Sequence, residues 1–220
     1  MPYLDDFCDN TLAFLTRNIV YVIVPKETLG LVDVVVELRE PATTIGNIPV
    51  GAFGGAAEGG VYKLRKKNAN DARGLRVYFC GHENNKTIPL MLGNDANWMF
   101  TVTMDGCTFG VGSQAGADGA VRVAHANNTK LAAPGVLVGP GAGVAGRAAQ
   151  ARVQGMMATS HVGPGGLLIE PDTYQGEDLG MKATTFGHHA AGGAWSFRVL
   201  SYRVSGTTWT HGGVISYPIP

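Results

Sequence analysis

The sequence predicts an α+β fold in which a mixed, largely antiparallel β-sandwich is flanked by a few helices. Runs of β-branched and aromatic residues recur along the chain, whereas only two longer segments favour helix. We expect a single domain over residues 1–220, because a chain of this length can bury one large core. The sequence shows neither a fixed-period repeat nor a linker that would separate two domains.

The first predicted element is a helix over residues 5–18, with Leu12, Phe14 and Leu15 as its apolar positions. The second helix is expected over residues 147–157, which are rich in Ala, Arg, Gln and Met. The predicted strands comprise residues 20–24, 31–38, 61–64, 75–80, 98–104, 107–111, 120–126, 195–204 and 214–217.

The composition argues against nucleic acid as the main partner. The 17 basic residues balance the 17 acidic ones, and charged residues make up only 15% of the chain. A surface that binds nucleic acid needs a concentration of basic side chains. The basic cluster Lys63, Arg65, Lys66 and Lys67 is followed by asparagines and an aspartate, which is typical of a solvated turn.

The sequence also predicts no membrane-spanning segment and no classical secretion signal. The best candidate span, residues 131–146, is shorter than the roughly 20 residues required and is interrupted by prolines and glycines. The N-terminus carries Asp5, Asp6 and Asp9, where a signal peptide would be basic.

Three cysteines, Cys8, Cys80 and Cys107, cannot form a paired disulfide framework and indicate reduced thiols. Cys107 is the candidate nucleophile, because His125 follows it by eighteen residues across a glycine-containing turn at residues 114–119. An imidazole accepts a thiol proton near neutral pH, and the thiolate is the reactive form. We interpret Cys8 and Cys80 as packing residues.

A hairpin across this turn would bring the two candidate side chains together. Facing residues on one side of an antiparallel pair lie roughly 5 Å apart. Val121, Val123 and His125 share one face by alternation, and Cys107 lies opposite His125 if the register allows. Gly106 permits close approach of a substrate, and amides near Cys107 could donate to an oxyanion. A buried packing cysteine and an ordinary strand histidine are the alternative interpretation.

Other motifs carry weaker signals. Residues 141–146 fit G-x-G-x-x-G, the pattern of a dinucleotide-binding site. Because glycine is 32 of the 220 residues, chance matches are common, and no regular series of parallel βαβ units surrounds this one. Cys80 with His82, and the pair His188 and His189, lack the spacing of a metal site. We therefore predict no cofactor and no metal, and interpret these histidines as surface or loop residues.

Two segments together point to a family. The first contains Phe100-Thr101 and Met104-Asp105-Gly106-Cys107, followed by a glycine-rich turn and a strand histidine. The second is Asp172-Thr-Tyr-Gln-Gly-Glu-Asp-Leu-Gly180. They resemble the Leu-Ser-Gly-Cys and Tyr-Gly-x-Asp-Asn-Leu-Gly stretches of the Burkholderia lethal factor and cytotoxic necrotizing factor deamidases. The similarity covers roughly residues 98–127 and 172–204, and an aspartate replaces the serine of the family motif.

The resemblance implies a bacterial toxin or effector that deamidates a glutamine side chain of a host protein. By position, Cys107 corresponds to the nucleophile, His125 to the base and Thr101 to the residue that orients the imidazole. Six residues of straight strand span about 20 Å. Thr101 can therefore reach the same site only if the chain folds back at Asp105 and Gly106.

The resemblance also suggests which residues surround the nucleophile. Asp105 and Gly106 are expected at the oxyanion site, and Tyr174 could line the substrate cleft. A structural Tyr174 whose hydroxyl is bonded to backbone fits the sequence equally well.

The expected partner is a host protein with an exposed glutamine, for which the family suggests a translation-initiation RNA helicase or a Rho-type GTPase. We expect a monomer that leaves the bacterial cytoplasm by a non-classical route and acts in the cytosol of the target cell. If an amine replaced water in the reaction, the same residues would catalyse transglutamination. The alternative from another class is a non-catalytic, glycine-rich β structural or binding module.

Overall fold

Strands make up most of the regular structure and the helices are few, which confirms the α+β expectation. The computed structural model describes residues 2–38, 44–46, 59–115, 119–128, 144–175, 180–190 and 193–218. The helices are α1 (Pro2–Asp9), α2 (Thr11–Arg17), α3 (Val144–Val162) and α4 (Pro171–Gln175). The strands are β1 (Ile19–Val22), β2 (Leu29–Leu38), β3 (Thr44–Gly46), β4 (Val61–Lys66), β5 (Leu75–Cys80), β6 (Lys86–Leu92), β7 (Trp98–Thr101), β8 (Thr108–Ala115), β9 (Ala120–Asn127), β10 (Leu167–Ile169), β11 (Met181–His189), β12 (Trp195–Ser205) and β13 (Thr208–Pro218).

Two short helices form the N-terminus, where the sequence predicts one. Asn10 divides them: its φ of −148° is not helical, and its side-chain oxygen accepts the N–H of Ala13 at 3.1 Å. An asparagine favours this capping position because its short side chain competes with the backbone for hydrogen bonds. Phe14 and Leu15 are buried as expected, whereas Leu12 is 43% exposed.

The larger sheet has nine strands in the order β1-β4-β2-β5-β7-β11-β12-β13-β3. Its neighbours are antiparallel except for three parallel pairs, β1 with β4, β5 with β7 and β13 with β3. The rings of Tyr21 on β1 and Trp209 on β13 have centroids only 4.8 Å apart, although six strands separate β1 from β13 in the sheet order. The sheet must therefore curve strongly. Phe7 of α1 is fully buried inside the curve, against the rings of Trp98 and Phe100.

His211 ties the C-terminal strand to the N-terminal helices. Its Nδ1 accepts the N–H of Gly213 at 3.0 Å, so its Nε2 carries the proton and donates to the carbonyl oxygen of Leu15 at 2.7 Å. Burial lowers the pKa of His211. The ring is therefore held neutral in a single tautomer.

The smaller sheet has four antiparallel strands in the order β10-β8-β9-β6. β8 and β9 form the predicted hairpin, with a shift of register between Val111 and Gln114. α3 packs against β8 and β9, where the hydroxyl of Thr108 donates to the side-chain oxygen of Gln154 at 3.2 Å. α3 extends beyond the expected residues 147–157 at both ends. None of the helices in the described ranges is both long and apolar enough to cross a membrane.

Two apolar cores hold these layers together. The first packs α1 and α2 against one face of the nine-stranded sheet. The second lies between the sheets and joins Tyr78, Met99 and Phe197 of the larger sheet to Phe109 and Val123 of the smaller one. The rings of Phe109 and Phe197 approach to 6.4 Å across this core. Close packing of this kind is what fixes the two sheets against each other.

Other sequence expectations also differ from the structure. The strand expected over residues 98–104 ends at Thr101, and β3, β6, β10 and β11 are strands that the sequence did not predict. The basic cluster lies mainly on β4 instead of in a turn. Lys63 and Arg65 both pair there with Glu37, so part of its charge is neutralised.

Candidate functional site

The ends of five strands meet at one end of the two sheets. β5 and β7 are parallel and end together, since Cys80 pairs with Thr101. In the smaller sheet, β8 begins directly after Cys107, and His125 of β9 pairs with Ile88 near the start of β6. The His125 ring lies near the backbone of Cys80. The ends of β5 and β7 in the larger sheet are therefore close to β8, β9 and β6 in the smaller sheet. The structure therefore brings all three predicted catalytic residues to the same end of the protein.

The chain turns sharply just before Cys107. Met104 forms an isolated bridge with Ala183 of β11, donating its N–H at 2.6 Å and accepting one at 2.9 Å. A bend follows at Asp105 and Gly106, and Gly106 has a φ of +86°, which only glycine adopts readily. The fold-back that the sequence analysis required is therefore present.

The Tyr174 hydroxyl fastens this turn from α4. It accepts the N–H of Gly106 at 3.0 Å and donates to the carbonyl oxygen of Cys107 at 2.9 Å. The side-chain amide of Gln150 also donates to the Gly106 carbonyl oxygen at 3.4 Å. Tyr174 is thus bonded to backbone, as one of the two sequence interpretations expected. Because Tyr174 occupies the Gly106 N–H, that amide cannot serve an oxyanion while the bond is intact.

Asp105 marks the solvent side of the turn. Its side chain is about half exposed and lies 3.5 Å from the ammonium of Lys182. The backbone of Asp105 forms a hydrogen bond that lowers the pKa of the Cys107 thiol. Because the Asp105 N–H is directed at the sulfur, it replaces the Gly106 N–H as the candidate oxyanion donor.

Cys107 is a buried, protonated thiol in this structure. Its exposed fraction is 5%, and it belongs to the core between the sheets. Burial raises the pKa of Cys107 to about 12, which outweighs the hydrogen bond from Asp105. The sulfur would become reactive only with a partner that takes its proton.

His125 is fully buried, and neither ring nitrogen has a hydrogen-bond partner among the described residues. Burial, followed by the nearby His82, lowers the pKa of His125 to about 3, although the backbones of Cys80 and Gly81 oppose this shift. A buried polar group without a partner costs roughly 1–3 kcal/mol, so it calls for an explanation. The ring is neutral, so one of its nitrogens is a donor and the other an acceptor, and the backbones of Cys80 and Gly81 are the polar groups close to it.

The register corrects the expected facing pair. His125 lies opposite Phe109, with the two rings edge to face at 6.2 Å, so Cys107 does not lie directly opposite the histidine. Alternation places Cys107 and Phe109 on the same side of the hairpin. Cys107 is therefore a diagonal neighbour of His125, a relation that separates residues by roughly 7–8 Å.

Thr101 is buried at the same end, on the last position of β7. Its hydroxyl oxygen accepts the N–H of Thr185 from β11 at 3.0 Å. This bond links two strands of the larger sheet and leaves the hydroxyl proton free to donate elsewhere.

His82 is the residue that the sequence analysis did not place in the site. Its ring centroid lies 5.5 Å from that of His125, and its Nδ1 is buried with no hydrogen-bond partner in the described structure. A cavity of about 50 Å³ adjoins it, lined also by Lys26, Glu27 and Ile88. The sequence could have indicated His82 by its position two residues after the end of a strand, because catalytic and binding residues are common on such loops.

The chemistry available here is that of a thiol and two imidazoles. No group of three or more His, Cys, Asp or Glu side chains in the described ranges is placed to hold a metal ion. No protein-family model and no curated protein matches the chain.

Proposed function

We propose that the protein is a cysteine-dependent protein glutamine deamidase, with Cys107 as the nucleophile and His125 as the base. The observation that carries the proposal is the unpartnered, fully buried His125 ring beside a nucleophile held on a tight turn. An imidazole whose nitrogens form no hydrogen bond of good geometry with any described residue can turn to exchange a proton with Cys107. The proposal includes a β-sandwich arrangement of the two sheets and one catalytic domain over residues 1–220.

Activation requires His125 to turn towards Cys107. In the structure both groups are neutral, since the pKa of Cys107 is about 12 and that of His125 about 3. Rotation about the two side-chain torsions of His125 brings a ring nitrogen towards the diagonal sulfur. Each charge then stabilises the other, so the pKa of the thiol falls and that of the imidazole rises.

The reaction proceeds in two stages. His125 takes the proton of Cys107, and the thiolate attacks the side-chain carboxamide carbon of a substrate glutamine. The oxyanion receives a hydrogen bond from the Asp105 N–H, and the imidazolium protonates the departing ammonia. Water, deprotonated by His125, then attacks the thioester carbon, and the released product is glutamate with the Cys107 thiol restored.

In this proposal the substrate reaches Cys107 from the solvent side of the turn, where Asp105 is half-exposed. The turn at Asp105 and Gly106 is the part of the site that faces solvent, whereas Cys107 lies directly beneath it. A glutamine side chain is long enough to extend past such a turn while its backbone stays outside. A host translation-initiation RNA helicase or a Rho-type GTPase is the candidate target, by the family resemblance, and a target-cell cytosol is the proposed location.

The proposal is tested by mass spectrometry of target-cell proteins after incubation with the active protein. We expect glutamine-to-glutamate conversion at one or a few sites, and its absence with Cys107→Ser. Cys8→Ser is the matched control, since Cys8 is a half-buried thiol of α1 outside the site, and it should retain full activity. Equal conversion by Cys107→Ser and the unchanged protein would contradict the proposal.

One observation favours the second candidate function, a non-catalytic binding or structural module. Cys107 is only 5% exposed and belongs to the core, as a packing cysteine would. Iodoacetamide labelling near neutral pH separates the two functions. Preferential labelling of Cys107 over Cys8 supports the enzyme, whereas labelling of Cys107 last supports the module.

A further inference from the structure

His82 and Cys107 lie on opposite flanks of the His125 ring. In the smaller sheet, β9 carries His125 between β8, which follows Cys107, and β6. His82 lies on the β6 side, because it lines the same small cavity as Ile88, the residue paired with His125. A ring nitrogen turned towards Cys107 therefore leaves the other nitrogen on the His82 side.

The separation of the two imidazoles suits a hydrogen bond between them. A nitrogen-to-nitrogen distance of about 2.9 Å places the centroids of two bonded imidazoles about 5 Å apart. The observed centroid distance is 5.5 Å, and unpartnered nitrogens are present on both rings. A small rotation of either ring therefore satisfies two buried polar atoms at once.

The chain before His82 is shaped to hold it at this position. The His82 N–H donates to the carbonyl oxygen of Lys26 at 2.8 Å, and the Gly81 N–H donates to that of Thr28 at 3.1 Å. A Cβ at position 81 would lie 2.0 Å from the Lys26 carbonyl oxygen, so only glycine fits there. The loop after β5 thus fixes the backbone of His82 independently of its side chain.

We propose that His82 is the positioning residue of His125, accepting the ring N–H that faces away from Cys107. The inference rests on the proposed function and assigns to His82 the orienting role that the family resemblance gave to Thr101. Fixing one nitrogen as the donor leaves the other as the acceptor for the Cys107 proton. His82 does not touch the substrate and acts only through His125.

The groups around His82 keep it suited to this role. Lys26 and Glu27 face it from the loop before β2, Glu83 lines its cavity, and the His125 ring packs against it. Burial and Lys26 lower the pKa of His82, whereas Glu27 raises it. His82 is therefore neutral at physiological pH and has a nitrogen lone pair to offer.

The pH dependence of Cys107 alkylation tests the proposal. We expect His82→Ala to slow alkylation of Cys107 by iodoacetamide at neutral pH by about 10- to 100-fold and to move the alkylation pKa upward. His82→Asn, which keeps a hydrogen-bond acceptor, should restore most of the rate. Glu83→Gln, in the same cavity wall, is the matched control and should behave like the unchanged protein. An unaltered alkylation profile in His82→Ala would overturn the proposal.

Nitrogen-15 chemical shifts of the His125 ring provide a second measurement that needs no activity. We expect a single neutral tautomer in the unchanged protein and in Thr101→Val, and a mixture of tautomers in His82→Ala. A mixture in Thr101→Val with no change in His82→Ala would assign the role to Thr101 instead. Since the shifts report only the His125 tautomer, they decide the role of His82 even if no deamidation is detected, an outcome that would count against the proposed function alone.

Discussion

The Tyr174 hydroxyl bridges the peptide group before Gly106 and the peptide group after Cys107, accepting the N–H of Gly106 at 3.0 Å and donating to the carbonyl oxygen of Cys107 at 2.9 Å. One side chain from α4 thus satisfies a donor and an acceptor of the turn that presents the nucleophile. Burial raises the pKa of Tyr174 well above its usual value, so the hydroxyl keeps the proton it donates.

Tyr174→Phe should lower the free energy of unfolding by about 1–3 kcal/mol, because it leaves two buried backbone groups without partners. The measurement is urea-induced unfolding followed by tryptophan fluorescence. Tyr3→Phe is the matched control, since its hydroxyl has no hydrogen bond in the described structure, and it should cost little. A loss for Tyr174→Phe no larger than that of the control would show that the bridge contributes nothing to stability.

His125→Leu should abolish deamidation with little change in stability. No imidazole then remains to take the proton of Cys107. The substitution removes a buried polar ring but also deprives the His82 nitrogen of its proposed partner, so we expect the free energy of unfolding at pH 7 to change by less than about 1 kcal/mol. Deamidation of glutaminyl peptides and thermal unfolding measure the two effects, and deamidation at an unchanged rate would contradict the assignment of His125 as the base.

The same substitution should make the protein more resistant to acid. The pKa of His125 lies near 6.5 when unfolded and at about 3 when folded, so the unfolded chain binds the extra proton between these values. The free energy of unfolding therefore falls as the pH drops from about 6.5 towards 3. His125→Leu should unfold at lower pH than the unchanged protein in an acid titration followed by circular dichroism. Identical acid midpoints would contradict the buried, neutral state of the ring.

Gly81→Ala should destabilise the protein by about 1–3 kcal/mol and reduce Cys107 alkylation, because the new Cβ would displace the Lys26 carbonyl and with it His82. Gly193→Ala is the control, since its nearest neighbour would be the Ala190 Cβ at 3.3 Å. Urea unfolding and labelling of both variants provide the comparison. Equal behaviour of the two variants would show that the loop adapts to a side chain at position 81.

Local sequence patterns predicted the hairpin of β8 and β9 and placed Cys107 and His125 at its two strands, because alternation and turn residues are local properties. The register was not predictable, since the shift between Val111 and Gln114 depends on how the hairpin packs. His82 was missed for a related reason. Its contact with His125 depends on how the two sheets pack against each other. The residues around either histidine do not predict that packing.

The pairing of β3 with β13 affects the order in which the protein can fold. Thr44 lies beside Thr208 in this parallel pair, and the His211 ring donates to the Leu15 carbonyl oxygen. Contacts between such distant parts of the chain carry a large loop-closure entropy and form slowly. During synthesis, α2 cannot make its contact with His211 until β13 has been made. The first helices of this fold therefore complete their packing only after the last of the described strands is available.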